Sequence, residues 1–137
     1  MDMAESIILW VDDDEDDLET FRNAAAVTGL DVKIHHARNG VEAVAYLQER
    51  GACGQLPCLV ILDMNMPQMD GRSTLAAIKS TPEFAQLQVV VFTTSASTLD
   101  EVFCRKYKAP IYQKPNSFEK LKEIVAGFGA LCHRGKY

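Results

Sequence analysis

Five side chains in this sequence have the types and spacing to do chemistry together: the carboxylates of Asp12, Asp13 and Asp63, the hydroxyl of Thr93 and the ammonium of Lys114. Each directly follows a largely apolar run. Ile7-Ile8-Leu9-Trp10-Val11 precedes Asp12 and Asp13, Leu59-Val60-Ile61-Leu62 precedes Asp63, Val89-Val90-Val91-Phe92 precedes Thr93, and Ile111-Tyr112-Gln113 precedes Lys114. If these runs are strands of one parallel sheet, the five groups emerge at a single edge. Carboxylates a few ångströms apart repel each other, and without a counter-charge at least one has a raised pKa. A hard cation such as Mg²⁺ relieves the repulsion, because it takes oxygen ligands and commonly uses carboxylates plus phosphate oxygens. An aspartate beside such a cation, a hydroxyl and an ammonium can attack phosphorus, while the cation and the lysine stabilise charge on the equatorial oxygens. There is also a purely structural explanation. Residues 12–17 are six acidic residues without a break, and acidic side chains favour helix N-termini through the macrodipole. That accounts well for Glu15, Asp16 and Asp17, and less well for Asp12 and Asp13, which directly follow an apolar run. Spacing alone leaves both readings open.

The elements that must position these groups are legible in outline. The short β-branched runs at 7–11, 59–62 and 89–92 show no polar alternation, which suits strands buried on both faces of a parallel sheet. Residues 32–37 alternate more, as an edge strand does, and Pro110 before Ile111-Tyr112-Gln113 marks another edge. Helical spacing predicts helices over 16–28 (Leu18, Phe21, Ala25), after a cap at Asn39 (Val41, Val44, Leu47) and over 73–80 (Leu75, Ile78). Thr98-Leu99-Asp100-Glu101 reads as a capping box opening a fourth helix. A fifth starts near Ser117 with Phe118, Leu121, Val125, Phe128 and Cys132 as its stripe, and Gly127 and Gly129 weaken its second half. Five β-α repeats imply a doubly wound α/β domain with a parallel five-stranded sheet. Ligands of such sheets bind at the carboxyl ends of the strands.

Bulk properties bound the function. The 137 residues fit one domain over 1–137, and 47% apolar with 24% charged residues is ordinary for a globular protein. The net charge of −5 argues against general nucleic-acid or anionic-membrane binding. No apolar run is long enough to span a bilayer. Residues 1–6 lack the basic and apolar regions of a signal peptide, so a cytoplasmic location is expected. Cys53, Cys58, Cys104 and Cys132 include no C-x-x-C pair, and four free thiols are expected. His35 and His36 are adjacent on an alternating strand, face opposite ways, and do not read as a phosphohistidine site. His133 reads as part of a C-terminal tail.

The segment Asp63-Met64-Asn65-Met66-Pro67-Gln68-Met69-Asp70-Gly71 resembles the region around the phospho-acceptor aspartate of bacterial response-regulator receiver domains. Asp12-Asp13 resemble that family's acidic pair, Thr93 stands 30 residues after Asp63 where the family has Ser or Thr, and Lys114-Pro115 resemble its lysine-proline pair. Ala37-Arg38-Asn39-Gly40-Val41-Glu42-Ala43 is similar to its loop and helix after the second strand. The resemblance spans nearly the whole chain. It implies a flavodoxin-like (βα)5 fold with strand order 2-1-3-4-5 and no output domain. It implies that Asp63 accepts a phosphoryl group from a histidine kinase or phosphotransfer protein. Mg²⁺, or Mn²⁺, would be bound by Asp13, Asp63 and the backbone carbonyl of Asn65, with Asp12 acting through water. Thr93 would hydrogen-bond the phosphoryl group and Lys114 would pair with it, moving the loop 94–97 and a protein-binding face on the fourth helix, fifth strand and fifth helix. Asn65 and Ser95 would tune phosphoryl lifetime.

This sequence departs from the family at one informative place. The aromatic expected three residues before the lysine is Ile111 here, and Tyr112 follows it, reading as an edge-strand side chain. Two alternatives differ in class. A binding module that no longer takes phosphate would leave the protein unmodified by any donor. An aspartate-nucleophile phosphatase would turn over small phosphate esters, but its Asp-x-Asp belongs on a first strand, whereas Asp63-Met64-Asn65 follows the third. Crowding of Asp12, Asp13 and Asp63 is expected to make Asp13→Asn stabilising by ~1 kcal/mol without metal.

Overall fold

The structure, a computed structural model, describes residues 6–94 and 96–134. Strands and helices alternate: β1 (Ile7–Val11), α1 (Glu15–Val27), β2 (Lys33–Ala37), α2 (Gly40–Ala52), β3 (Leu59–Leu62), α3 (Gly71–Ser80), β4 (Val89–Thr93), α4 (Thr98–Lys106), β5 (Ile111–Gln113) and α5 (Phe118–Arg134). The five strands form one parallel sheet in the order β2-β1-β3-β4-β5. This is the expected flavodoxin-like fold.

The two-residue period of a strand decides which side chain meets which helix layer. Leu9 and Val11 of β1 face the core under α2, α3 and α4, with Leu47, Leu75 and Cys104. Ile8 and Trp10 face the opposite core under α1 and α5, with Phe21, Val125 and Phe128. Both faces are apolar because both are covered, which is why the central runs show no alternation. The second core is aromatic: the Trp10 ring lies 4.6 Å from that of Phe21 and 6.0 Å from that of Phe92, centroid to centroid. β2 and β5 are the edges, and each carries an exposed polar residue, Lys33 and Gln113.

The helix starts are set by side-chain caps. Asp14 caps α1, Asn39 caps α2 and Asp70 caps α3, each accepting backbone N–H bonds of the first turn. For α4 the capping box is Ser97 with Asp100, one residue earlier than the pair Thr98 and Glu101 expected from the sequence. Asp100 is the better partner because it is buried and ion-paired with Arg72 of α3, Arg72 Nε to Asp100 Oδ1 being 3.0 Å. The helix α5 runs through Gly127 and Gly129 without interruption, and a Cβ at residue 129 would collide with Leu30, so that glycine makes room for the loop after α1. His133 lies in the last turn of α5 rather than in a tail.

The cysteine expectation is corrected for two of the four. Cys58 and Cys132 form a disulfide, with Cα atoms 5.0 Å apart. They are 74 residues apart in sequence, and it is the packing of α5 across the start of β3 that brings them into reach. Cys53 and Cys104 are free thiols, and burial pushes the Cys104 thiol up to about 11.

Tyr112 faces α5, with its ring 5.1 Å from that of Phe128, while Ile111 packs on the α4 side. The α4 side of β5 therefore carries an aliphatic residue, Ile111, where the resemblance led us to expect an aromatic.

One glycine is demanded by the site. A Cβ at residue 71 would collide with the backbone of Asp63 and Met64, because Gly71 N–H donates to the Met64 carbonyl at 3.1 Å and holds α3 against the acidic loop. We expect Gly71→Ala to destabilise the fold by about 2 kcal/mol through overpacking, read as a lower urea midpoint with an unchanged slope.

Candidate functional site

The carboxyl ends of β1, β3, β4 and β5 deliver the five groups to one place. Asp12 and Asp63 are held by the sheet itself: the Asp12 N–H donates to the Ala37 carbonyl at 3.1 Å and the Asp63 N–H to the Val11 carbonyl at 3.0 Å. The carboxylates of Asp12, Asp13 and Asp63 each offer an oxygen, and these all lie within 4.8 Å of one another. Asp12 is 2% and Asp63 8% exposed, whereas Asp13 is open to solvent. Thr93, at the end of β4, is fully buried and hydrogen-bonds Asp63. Asn65 and Asp13 line one shallow cavity with Met66, Asp70, Arg72 and Asp100. Ser95 lies outside the described residues.

Lys114 is the counter-charge. Its Nζ donates to Asp12 Oδ2 at 2.6 Å and to Asp17 Oδ2 at 2.8 Å, and sits 4.0 Å from Asp63 Oδ2. Its backbone N–H donates to the Thr93 carbonyl at 2.7 Å, which ties the lysine to the residue that touches Asp63.

The electrostatics follow from burial. Burial pushes the Asp63 carboxyl up to about 6; the Lys114 ammonium pulls against this, the Asp12 carboxylate adds to it, and hydrogen bonds from Thr93 and the Asn65 backbone lower it. Burial also raises Asp12, against hydrogen bonds from Lys114 and the Asp14 backbone. For Lys114, burial works to lower the pKa, and the bonds to Asp12 and Asp17 outweigh it, so the ammonium is held charged. Of the two buried carboxylates, Asp63 is thus the further from Lys114 and the one with more to gain from an added cation. Three carboxylates that converge without a soft ligand among them fit a hard divalent cation.

Asp12, Asp13, Asp63, Thr93 and Lys114 are brought together at this rim, Asp13 being the exposed member. The three carboxylates converge as expected, and burial raises the two enclosed ones, Asp12 and Asp63, so a substitution at residue 63 also gives relief.

Four contributors were not read from the sequence as parts of the site. Asp17 was assigned to the helix dipole, yet its carboxylate shares Lys114 with Asp12. His36 Nε2 lies 2.7 Å from the Asp12 carbonyl and steadies that turn, while His35 bonds the Tyr46 hydroxyl at 2.7 Å. Arg72 and Asp100 close the rim of the acidic cavity. Asp17 alone had a signal, its place one helical turn into the acidic run.

The raised pKa of Asp63 fixes a pH dependence. A carboxyl whose folded pKa lies above its unfolded value costs stability once both states are ionised, so the cost appears between about pH 4 and about pH 6 and is complete above that. Asp63→Asn should therefore stabilise the metal-free protein at pH 7.5 by on the order of 1–3 kcal/mol. The gain should shrink as the pH falls through 6 toward 4, measured by urea unfolding in EDTA; a gain independent of pH would contradict the assignment.

Comparison with known proteins agrees with this geometry. Residues 8–126 match the family model of the response regulator receiver domain. The chain is 32% identical over 124 residues to the response regulator Rcp1 of Synechocystis sp., covering 88% of this chain and 84% of that one. The phosphorylated cyanobacterial phytochrome response regulator RcpA superposes with a TM-score of 0.83 at 31% identity over 98% of each chain. The Mn²⁺-bound form of Rcp1 does so with a TM-score of 0.77 at 30% identity, over 91% of this chain and 92% of that one. Receiver domains of this kind are switches of two-component signalling, and this chain belongs to the response regulator receiver domain family.

Proposed function

We propose that this protein takes a phosphoryl group on Asp63 from a phosphohistidine of a histidine kinase or phosphotransfer protein, with Mg²⁺, and passes the signal on through a protein-binding face. One observation carries the reading: Asp63 is a buried carboxylate that receives only a long-range charge from Lys114, at 4.0 Å, while two other acids hold that lysine. The phosphorylated RcpA and the Mn²⁺-bound Rcp1 support the same chemistry at a similar fold.

In this reading Asp13, Asp63 and the Asn65 carbonyl would hold the cation, and Asp12 would act on it through water. When bound, it would supply charge neutralisation for the phosphoryl oxygens and relief for the clustered carboxylates. An Asp63 Oδ attacks the phosphorus in line, forming an O–P bond as the N–P bond of the donor histidine breaks and its nitrogen keeps the electron pair. Lys114 exchanges its bonds to Asp12 and Asp17 for the new phosphoryl oxygens. The Thr93 hydroxyl, already bonded to Asp63, donates to the phosphoryl group and draws the start of the 94–97 loop with it. That movement reaches α4 through its Ser97 cap and thence the α4–β5–α5 face. With Ile111 on the α4 side, the signal travels without the usual rotating aromatic. Asn65 and Ser95 set how long the phosphoryl group survives.

No helix among the described residues is long and apolar enough to cross a membrane; a cytoplasmic location accompanies the kinase donor in this proposal. RcpA is a phytochrome response regulator, which makes a phytochrome-type histidine kinase the first donor to assay.

Incubation with acetyl phosphate and Mg²⁺, followed by intact mass, tests the reading. One phosphoryl group per chain is expected, absent in Asp63→Ala and blocked by EDTA. Unchanged mass with acetyl phosphate and with a phosphohistidine donor would leave the binding module without phosphate chemistry, and continuous phosphate release from small esters would indicate a phosphatase.

A further inference from the structure

We propose, on the footing of the Asp63 phosphorylation put forward above, that Asp17 is a positioning residue for that reaction: its carboxylate holds the Lys114 ammonium away from Asp63 in the unphosphorylated protein and so slows the arrival of a phosphoryl group. Lys114 Nζ donates to Asp12 Oδ2 at 2.6 Å and to Asp17 Oδ2 at 2.8 Å, whereas Asp63 Oδ2, at 4.0 Å, is beyond hydrogen-bond length. The lysine is rooted at its backbone, where the N–H bonds the Thr93 carbonyl at 2.7 Å. The ammonium therefore reaches a group on Asp63 by swinging about that root, and the swing means leaving a partner.

The two partners differ in how readily they let go. The Asp12 side chain is 3% exposed, so it loses much if its counter-charge leaves. The Asp17 side chain is 37% exposed, and water replaces the lysine there at small cost. Asp17 is thus the partner that gives up the ammonium, and its bond is part of the barrier. The position of Asp17 is fixed by the start of α1. The Asp14 side chain accepts from the backbone N–H groups of Asp16 and Asp17, at 3.0 and 3.1 Å, while Leu18 and Phe21 of the same helix are buried. Three acids stand in that first turn, Glu15, Asp16 and Asp17. The helix dipole favours an acid at each of these places and does not choose among them; of the three, Asp17 pairs with Lys114. With acetyl phosphate as donor, an O–P bond forms at Asp63 as the donor's P–O bond breaks and acetate leaves with the electron pair. Asp17 takes part in neither bond and acts through where the ammonium stands.

The test is the initial rate at which acetyl phosphate modifies the intact protein at saturating Mg²⁺, read by intact mass. Asp17→Asn is expected to react about threefold faster than the parent, the scale of a half-exposed ion pair. Asp17→Glu keeps the carboxylate and should react at the parent rate. Asp16→Asn removes a charge of the same turn from an exposed position and should also leave the rate unchanged, which separates the lysine from plain repulsion of an anionic donor. In a Lys114→Met background Asp17→Asn should have no effect, a dependence that a merely structural role does not produce. The same double-mutant cycle run by urea unfolding reads the resting pair even where Lys114→Met reacts too slowly to time, and a favourable coupling between the two residues is expected. Equal rates for the parent and Asp17→Asn, the same gain in Asp16→Asn or Asp17→Glu, a gain that persists without the lysine, or no coupling in urea would each overturn the proposal while leaving Asp63 as the acceptor. A parent that takes no phosphoryl group would overturn both.

Discussion

The structure is organised around an imbalance: two carboxylates, Asp12 and Asp63, are buried at the rim of the sheet beside a single buried ammonium, Lys114. Removing ionised groups from water is costly unless they are paired and hydrogen-bonded. Lys114 satisfies Asp12 closely and Asp63 at a distance, and Asp17 competes for the same ammonium. Asp63 is left under-neutralised, and a group in that condition gains most from a cation or from conversion to a neutral or differently charged form. The reactivity assigned to Asp63 and the instability it imposes on the metal-free fold are two consequences of one arrangement.

The remainder of the domain holds that arrangement in place. Parallel pairing of β1 with β2 and β3 fixes the Asp12 and Asp63 backbones through the Ala37 and Val11 carbonyls. The β4–β5 register brings the Lys114 N–H to the Thr93 carbonyl, so the two residues are tied through their backbones. Gly71 lets α3 press on the loop after Asp63, and the Arg72–Asp100 pair joins α3 to the cap of α4. Two sets of contacts therefore connect the surroundings of Asp63 toward α4, one through Thr93 and one through the α3–α4 ion pair. Trp10 lies beneath Lys114 on the other face, next to a cavity bounded by α5.

Much of this was legible in the residues. The unbroken β-branched runs identify strands covered on both faces, and their ends give the positions of Asp12, Asp63 and Thr93, because a parallel sheet places all strand ends of one polarity together. The cap at Asn39 was readable, those at Asp14 and Asp70 were not read as caps, and the α4 box shifted by one because burial and Arg72 select Asp100 over Glu101. What could not be read depends on contacts distant in sequence. The disulfide between Cys58 and Cys132 and the bond from His36 to the Asp12 carbonyl exist only once the elements are packed. Whether a carboxylate is buried is likewise a tertiary fact: Asp12 and Asp13 are adjacent, yet only the first is enclosed. The membership of the cluster was therefore visible in advance and its energetics were not.

The claim on which the account rests is that burial raises Asp63 and that Lys114 is the charge restraining it. The carboxyl-carbon resonance of Asp63, followed by NMR across pH in the metal-free protein, measures this directly. A titration near pH 6 is predicted for the parent, displaced to higher pH in Lys114→Met. Titration of Asp63 near the ordinary value of about 3.9, unaltered when the lysine is removed, would contradict it.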